Sequence, residues 1–435
     1  MDKAREAAVF ALERYRRNGA WSSAFGDAMK TKYGLDARSL SLAENISLGV
    51  LQNKNLLDYY IDCFSKSSAK IEPKVRDIMR CGVYQIVFMD RIPDSAAVNE
   101  SVALCRSLGL ARASGFCNAV LRKISSNKDC LPDIPGAGTS EYLSIKYSHP
   151  LWLVDYIISR RGYEAAEAFL AANNSIPDTY LQVNTLKISA QDLLKKLQDK
   201  GVKCSMHPWL PDCITVSGNV NNIGGFEEGL FYVQDPAAKC AVLAANIKPG
   251  MKVLDACAAP GGKSFASAIA MSNDGNITSC DIHEKKTELI SNTARRLGID
   301  IIDAYQHDAR QPFDTQYDVI IADVPCSGFG VIRKKPEIRY KNREDGAALP
   351  VVQKNILENV AKYVKPGGII IYSTCTVLEA ENEAVVDGFL QLHSNFECEK
   401  FVLPNGEAAE NGCITFWPDI HGTDGFFVCK LRRSK

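Results

Sequence analysis

Two cysteines of this chain each follow a short apolar run that is typical of a buried strand. Cys326 stands in Asp323–Gly328, which reads DVPCSG, and Cys375 stands in Tyr372–Thr376, which reads YSTCT. Open α/β sheets bind their ligands at the carboxyl ends of strands, so nucleophilic side chains at these points indicate a site and not a core. A thiolate in such a place can form a covalent bond with a substrate.

A loop of small residues precedes the cysteine pair and opens a helix. The segment Asp255–Ser264 reads DACAAPGGKS, and its glycines would let a ligand approach the amide groups of the helix N-terminus. The segment has neither the glycine spacing of a dinucleotide fingerprint nor that of a P-loop. A tight turn without a ligand is the alternative. The ligand contacts predicted in this loop are Cys257, Ala258, Ala259, Pro260, Gly261, Gly262 and Lys263.

Acidic residues follow the next three predicted strands in order. They are Asp281, Asp308 and Asp323. A carboxylate at the end of the second strand can accept hydrogen bonds from both hydroxyls of a ribose. Each residue alone is better explained as a helix cap or a solvated turn, but together they favour an adenosine site. With no phosphate-binding loop, S-adenosylmethionine is the kind of ligand that fits.

Three predicted domains position these residues. Residues 1–130 carry apolar residues at helical spacing throughout and predict an all-α bundle. Residues 140–234 mix helices with short alternating runs, which favours a small α+β module. Residues 235–435 alternate apolar strands with helices, as a doubly wound, Rossmann-like sheet does. The fold class is therefore multidomain, α followed by α/β, with a linker rich in Pro and Gly near residues 125–139.

Composition excludes several classes of protein. The chain has 435 residues, of which 46% are hydrophobic and 23% charged, an ordinary globular composition. No apolar run reaches membrane-spanning length and the first residues do not resemble a signal peptide, so we expect a cytoplasmic protein without a membrane partner. The 15 cysteines form no Cys-x-x-Cys or Cys/His cluster, so we expect no metal.

The charge is unevenly distributed along the chain. Residues 1–130 hold 20 Lys and Arg against 14 Asp and Glu, whereas the whole chain is neutral. A basic N-terminal third favours a polyanionic partner such as nucleic acid, and an ordinary solvated surface is the alternative.

The three motifs together resemble those of the RNA cytosine-5 methyltransferase family. DACAAPGGKS, DVPCSG and YSTCT occur in the family's order, and Asp424–Phe427, which reads DGFF, is similar to the family's last hairpin. The helical N-terminal region is similar to the antitermination factor NusB. The combination resembles the branch that acts on small-subunit (16S) ribosomal RNA, the RsmB/Sun/Fmu type. The resemblance implies a class I methyltransferase domain, S-adenosylmethionine as cofactor and methylation of cytosine carbon 5 in ribosomal RNA.

The resemblance also implies a role for each site residue. Carbon 5 of cytosine is a poor nucleophile, so Cys375 would first add to carbon 6, and Cys326 would assist removal of the carbon 5 proton and release of the adduct. Related DNA enzymes use the Pro-Cys position, here Cys326, as the nucleophile. Asp323 would bind the cytosine near N3. Lys263 would reach the substrate or lower a thiol pKa, and capping of the loop is the alternative.

The substrate must present an unpaired or flipped cytosine, since carbon 6 is not accessible inside a stacked helix. Candidate phosphate contacts follow Cys326, although a solvated run of charges explains them equally well. They are Arg333, Lys334, Lys335 and Arg339. The segment Val183–Lys187, with Asn184, resembles a substrate-side motif of the family. Gln182 stands where the family usually has Arg, and Val324 where Ala is commoner.

Two other functions stay open on the sequence. A transfer RNA substrate needs the same chemistry, and the motifs around the cysteines do not separate the two RNAs. A noncatalytic RNA-binding assembly factor would need neither Cys326 nor Cys375, so the presence of both disfavours it. We expect a monomer.

Overall fold

The computed structural model describes residues 2–18, 25–65, 71–217 and 223–435, which form two compact units. One comprises residues 1–175 together with 332–341, and the other comprises 176–331 together with 342–435. The division at residue 175 falls inside the predicted module of residues 140–234. The helices of that module before residue 175 group with the N-terminal helices, whereas its later helix and its strands belong to the second unit. No helix among the described residues is long and apolar enough to cross a membrane.

The first unit is helical. Its helices are α1 (Lys3–Asn18), α2 (Phe25–Tyr33), α3 (Ala37–Phe64), α4 (Pro73–Phe88), α5 (Asp94–Ser107), α6 (Ser114–Ser126), α7 (Ser140–Lys146), α8 (Leu151–Arg161) and α9 (Tyr163–Ala172). The apolar faces of α1 and α3–α6 form one core that includes Ile46, Ile78, Val83 and Leu121. The predicted all-α bundle is confirmed.

Helix α3 differs from the prediction of two helices at residues 41–51 and 56–64. Asp36 caps it by accepting a hydrogen bond from the Ser39 amide, and it then continues to Phe64. Asn53 has non-helical torsions (φ −117°, ψ 16°), so the helix kinks there instead of ending. The predicted break therefore marks a kink that buried residues on both sides bridge.

Arg339 lies at the centre of the first unit, on a short 3₁₀ helix at Pro336–Tyr340. Its side chain is fully buried and donates to the carbonyl oxygens of Gln52 (2.8 Å) and Tyr147 (3.2 Å) and to Asn174 Oδ1 (2.8 Å). A guanidinium engaged with the ends and kinks of three helical segments is not accessible to a phosphate. The prediction that Arg339 contacts RNA phosphates is therefore wrong.

The second unit begins with a small antiparallel sheet and one helix. The elements are β1 (Thr179–Val183), α10 (Ala190–Asp199), β2 (Cys204–Met206), β3 (Cys213–Val216) and β4 (Phe231–Val233), with strand order β2-β3-β1-β4. Ser189 caps α10 by accepting from the Asp192 amide, and Leu193 and Leu197 of that helix pack on the sheet.

The rest of the second unit is built on a larger sheet. Its elements are α11 (Pro236–Ala245), β5 (Lys252–Asp255), α12 (Gly262–Ala270), β6 (Asn276–Asp281), α13 (Glu284–Leu297), β7 (Ile302–Gln306), β8 (Tyr317–Asp323), α14 (Leu349–Val360), β9 (Val364–Thr374), α15 (Glu383–Leu392), β10 (Phe396–Cys398), β11 (Phe401–Val402), β12 (Ala408–Ala409), β13 (Cys413–Phe416), α16 (Pro418–His421) and β14 (Phe426–Arg433). The strand order is β10-β14-β9-β8-β5-β6-β7, and β13 also pairs with β14. Strands β5 to β9 are parallel, and β14 runs antiparallel to β9.

Helices cover both faces of this sheet. In β8, Val319 and Ile321 join the core beneath α11, α12 and α13, and Ile320 and Ala322 join the core beneath α14 and α15. Strands covered on both sides read as continuous apolar runs because both sets of alternating side chains are buried. The predicted Rossmann-like, doubly wound sheet is confirmed.

Candidate active site

The strand order places the predicted site residues on one rim of the larger sheet. The chain passes from β5 outward through β6 to β7, and then returns to the other side of β5 with β8 and β9. The loops after β5 and β8 therefore leave the sheet in opposite directions, which opens a crevice at the carboxyl ends of the strands. Asp255, Asp281 and Asp323 end their strands at this rim.

The loop after β5 needs its glycines for steric reasons. Gly261 has φ +105°, a left-handed conformation that side chains rarely adopt, and a Cβ there would lie 2.5 Å from the Phe265 ring. A Cβ at Gly262, the first residue of α12, would lie 2.8 Å from Gln234 Nε2. These residues therefore fix the turn from β5 into α12.

Asp255 is buried beneath this loop. Its Oδ2 accepts a hydrogen bond from Ser264 Oγ (2.6 Å), and Ser264 Oγ in turn accepts from Ser279 Oγ (2.8 Å). Within the described part of the chain, Asp255 Oδ1 has no hydrogen-bond partner. Burial raises the pKa of this carboxyl to about 7, against the opposing effect of the Ser264 hydroxyl.

A cavity of about 390 Å³ opens at the rim. Seven of the predicted site residues line it: Cys257, Ala259, Asp281, Asp308, Asp323, Cys326 and Cys375. Ala258, Pro260, Gly261, Gly262 and Lys263, which were also predicted as cofactor contacts, are not among its lining residues. Ala258 is buried in the core, and the two glycines shape the turn from β5 into α12.

The two acidic residues at the far side of the cavity have different surroundings. Asp281 Oδ1 accepts from the His283 amide (3.0 Å) and lies 3.7 Å from Lys286 Nζ. Asp308 accepts from the guanidinium of Arg310 through both carboxylate oxygens, and this interaction lowers the pKa of Asp308. Asp281 is thus the more available acceptor for a pair of ribose hydroxyls.

The sulfur atoms of Cys326 and Cys375 lie 3.0 Å apart, although the residues are 49 positions apart in sequence. The Cys375 amide also donates to Cys326 Sγ (3.2 Å). The contact with Cys375, together with burial, raises the pKa of the Cys326 thiol well above its usual range. Cys326 therefore keeps its proton, and its S–H group can donate to the sulfur of Cys375.

Asp323 and Lys263 form an ion pair beside the cysteines. Lys263 Nζ lies 2.6 Å from Asp323 Oδ2, and Ser373 Oγ donates to Asp323 Oδ1 (2.7 Å). The Lys263 ammonium also sits 5.0 Å from the centre of the Phe426 ring. Lys263 is therefore placed to orient Asp323.

Glu381 joins the two cysteine loops, although no motif marks it in the sequence. Its Oε2 accepts from the Ser327 amide (2.9 Å) and from Gln353 Nε2 (2.8 Å), and Gln353 also donates to the Pro325 carbonyl (3.0 Å). The hydroxyls of Ser327 and Thr376 are 2.9 Å apart. All these groups except Pro325 are buried, so the segments that carry Cys326 and Cys375 are held in one arrangement.

Other cavity residues were also missed. Ile282 directly follows Asp281 and is half-exposed. An apolar residue directly after an acidic strand end could have indicated this cavity residue from the sequence. Val352 and Ile356 lie one turn apart on α14, where no motif marked them. His283, Lys286, His307 and Arg310 complete the polar wall.

Asn184, whose segment resembles a substrate-side motif, and Gln182, which replaces the family's usual Arg, both have internal partners. Asn184 is buried, and its Nδ2 donates to the carbonyls of Gly229 (2.9 Å) and Leu297 (2.8 Å). Gln182 is also buried, and its Nε2 donates to the Gln234 carbonyl (3.0 Å). Both side chains hold the small sheet to neighbouring segments of the second unit.

The cavity fits S-adenosylmethionine by the chemistry of its lining. Asp281 offers acceptors for ribose hydroxyls, Ile282 and Val352 offer apolar surface for a flat base, and the carboxylates suit a ligand with positive groups. Its volume lies within the roughly 300–1,000 Å³ of small-molecule pockets. The fold and this site define a Rossmann-like, S-adenosylmethionine-dependent methyltransferase.

Comparisons with known proteins identify the family. Residues 242–432 match the model of the 16S rRNA methyltransferase RsmB/F, residues 2–126 match the NusB family, and residues 149–222 match the RsmF/B-like ferredoxin-like domain. A protein of Bacillus subtilis (strain 168), named probable ribosomal RNA small subunit methyltransferase B, is 35% identical over 99% of this chain and 98% of its own. The chain belongs to the ribosomal RNA small subunit methyltransferase B family, and it is an S-adenosylmethionine-dependent RNA methyltransferase.

Solved structures agree with this assignment. The crystal structure of PH0851 has a TM-score of 0.81 and 26% identity, and it covers 100% of this chain and 99% of that one. A methyltransferase homologue from Pyrococcus horikoshii has a TM-score of 0.60 and 27% identity over 68% of this chain and 100% of that one.

Proposed function

We propose that this protein methylates carbon 5 of a cytosine in 16S ribosomal RNA through a covalent adduct with Cys375. The observation that carries the proposal is the 3.0 Å separation of the Cys326 and Cys375 sulfur atoms at the rim of the cavity. The ribosomal substrate rests on the relatives, which are named for the small ribosomal subunit.

The surroundings of the two thiols favour Cys375 as the nucleophile. A thiol that keeps its proton is a poor nucleophile, and Cys326 has the raised pKa. The thiolate of Cys375 adds to carbon 6, and the electron pair of the 5,6 double bond moves to carbon 5. When bound, S-adenosylmethionine supplies the electrophilic methyl group that this carbon attacks.

Release of the product needs two proton transfers, and Cys326 is placed for both. Its S–H group donates a proton to the sulfur of Cys375 as the bond to carbon 6 breaks, and the resulting thiolate of Cys326 takes the proton from carbon 5. The electron pair left at carbon 5 restores the 5,6 double bond. The Cys375 thiol then loses its proton to solvent before the next cycle.

Asp323 is placed to hold the cytosine ring. Its carboxylate lines the cavity beside both cysteines, and Lys263 and Ser373 fix its orientation. Its carboxylate accepts a hydrogen bond from N3 of a cytosine that has taken a proton from solvent there. The positive charge of the protonated ring draws electrons away from carbon 6 and makes addition of the thiolate easier.

We further propose that residues 1–130 and 140–234 form the RNA-binding parts of the chain and that residues 235–435 form the catalytic domain. The matches to the NusB family and to the ferredoxin-like domain support these boundaries. The target cytosine must leave its stack to reach Cys375, so these parts would hold the surrounding RNA.

Transfer of a labelled methyl group tests this function. Wild type, Cys375→Ala and Cys326→Ala are incubated with labelled S-adenosylmethionine and either unmethylated 16S ribosomal RNA or transfer RNA, and Cys204→Ala, a half-buried thiol of β2, serves as the control. We expect label in carbon 5 of a 16S cytosine with wild type and Cys204→Ala, none with Cys375→Ala, and an accumulating protein–RNA adduct with Cys326→Ala.

Three results would contradict the proposal. Methyl transfer by Cys375→Ala at the wild-type rate would exclude Cys375 as the nucleophile. Label in transfer RNA alone would show that the substrate is transfer RNA and not 16S ribosomal RNA. Label in no RNA would favour a noncatalytic assembly factor.

A further inference from the structure

Three cysteine thiols meet on one face of the larger sheet, away from the active-site cavity. Cys398 lies on β10, Cys413 on β13 and Cys429 on β14. Cys413 and Cys429 are directly opposed in an antiparallel pair, and Cys398 is opposite Leu431, two residues from Cys429. Because side chains alternate along a strand, all three point to the same face. Their sulfur atoms lie within 4.8 Å of one another.

The spacing of the sulfur atoms suits a tetrahedral ion. A zinc–sulfur bond is about 2.3 Å, so two thiolates bound tetrahedrally lie about 3.8 Å apart. The sulfur atoms of Cys398 and Cys429 are 3.7 Å apart. The other sulfur–sulfur separations are at most 4.8 Å. A side-chain adjustment of about 1 Å or less would therefore bring all three sulfur atoms to the spacing of zinc ligands.

We propose that Cys398, Cys413 and Cys429 bind one zinc ion, with a fourth position open to water. Zinc binding displaces the three thiol protons, which pass to solvent, and forms three zinc–sulfur bonds. Three thiolates leave a net charge of −1 around Zn²⁺ and −2 around Cu⁺, so the doubly charged ion suits this partly buried place better.

The surroundings of the three thiols allow an ion to enter. Cys398 and Cys413 are half-buried, whereas Cys429 is buried and forms the floor. Cys429 belongs to the same apolar core as Phe389 and Leu431, and Cys398 and Cys413 pack against that core.

A zinc ion here would strengthen the strands next to the active site. It would join β10 and β13 to β14, and β14 pairs with β9, whose last residue, Thr374, precedes Cys375. Binding to the folded state alone would stabilise that state. The chain intervals between the three cysteines match no zinc motif, so only the sheet brings them together. This inference does not depend on the proposed reaction.

Zinc binding to reduced, metal-free protein tests the proposal. Wild type, Cys398→Ser, Cys413→Ser and the control Cys204→Ser are titrated with Zn²⁺ against a chromophoric chelator, and with Co²⁺ to detect thiolate-to-metal charge transfer. We expect one ion per chain, thiolate charge transfer and a zinc-dependent rise in melting temperature for wild type and Cys204→Ser. Affinity should fall at least tenfold in Cys398→Ser and Cys413→Ser.

The opposite results would overturn it. One such result is that the reduced wild-type protein binds no stoichiometric zinc. The other is that wild type, Cys398→Ser and Cys413→Ser bind zinc with equal affinity. Circular dichroism of the metal-free proteins establishes that the variants are folded, and a folded variant with unchanged zinc affinity counts against the site. Methyl transfer is measured separately, so its failure does not bear on this outcome.

Discussion

At the scale of single residues, the site depends on groups whose protonation is set by burial. Cys326 keeps its proton through contact with Cys375 and through burial, and the buried Asp255 titrates near pH 7. Asp323 is held by Lys263 and Ser373. Each of these effects follows from neighbours that are distant in sequence.

Asp255 should make the second unit less stable as the pH rises. Its pKa is 3.8 when exposed and about 7 when folded, so its stabilising contribution is complete below pH 3.8 and is lost as the pH rises through 7. The difference is on the order of 4 kcal/mol. From pH 5 to pH 8, the melting temperature should fall less in Asp255→Asn than in wild type. The exposed Asp274→Asn is the control, and equal falls in all three proteins would contradict the assignment.

Glu381 should act as a positioning residue. Its charge contributes to the raised pKa of Cys326, and its carboxylate holds the amide of Ser327. In Glu381→Gln we expect kcat to fall roughly 10- to 100-fold, because a small displacement of reacting groups is costly, with an unchanged KM for S-adenosylmethionine. Alkylation of Cys326 should shift to lower pH. Glu379→Gln, an exposed neighbour, should leave all three unchanged, and equal behaviour of the two variants would argue against the role.

At the scale of elements, the loop after β8 and the turn before β14 meet through two glycines. The Gly330 amide donates to the Cys375 carbonyl (2.9 Å), and the Gly425 amide donates to the Gly330 carbonyl (2.8 Å). A Cβ at Gly330 would lie 1.8 Å from the Gly425 carbonyl oxygen, so no side chain fits there. Gly425 therefore holds Gly330, which in turn binds the backbone of Cys375.

Gly330→Ala should separate these segments and reduce methyl transfer at least tenfold, because Cys375 would move relative to Cys326. Binding of S-adenosylmethionine, measured by calorimetry, should persist, since neither glycine lines the cavity. Gly388→Ala is the matched control: its Cβ meets nothing within 4 Å on helix α15. Wild-type activity in Gly330→Ala would show that the contact does not position the nucleophile.

The sequence predicted the elements better than their contacts. Strand β5 was predicted at its observed bounds, and the cysteines were predicted to follow β8 and β9, because apolar runs and loop motifs are local patterns. The single helix α3 was missed because the packing that bridges the kink at Asn53 is not local. For the same reason the sequence did not reveal the buried position of Arg339 or the meeting of the three cysteines on β10, β13 and β14.

At the scale of the whole molecule, family membership joins a helical region to a methyltransferase domain in one chain. The N-terminal third carries the excess of positive charge, and the site residues lie on the larger sheet of the second unit. The predicted phosphate contacts at residues 333–335 belong to the first unit, where Lys334 and Lys335 are exposed.

RNA binding should weaken with salt, and Lys335 should contribute to that dependence. Each phosphate contact releases counterions, so Lys335→Ala should reduce the slope of log affinity against log salt by about 1. Lys248→Ala, an exposed lysine before β5, should keep the wild-type slope. Filter binding of a 16S fragment at several salt concentrations measures both. An unchanged slope in Lys335→Ala would remove this residue from the RNA contact.

The assignment of the nucleophile is the central claim, and trapping of the covalent intermediate tests it most directly. Ribosomal RNA containing 5-fluorocytidine has no proton to lose from carbon 5, so the methylated adduct should remain bound to the wild-type protein. After digestion, mass spectrometry should find the nucleotide on the peptide that contains Cys375. A nucleotide on Cys326 would reverse the roles of the two thiols, and the absence of any adduct would contradict covalent catalysis.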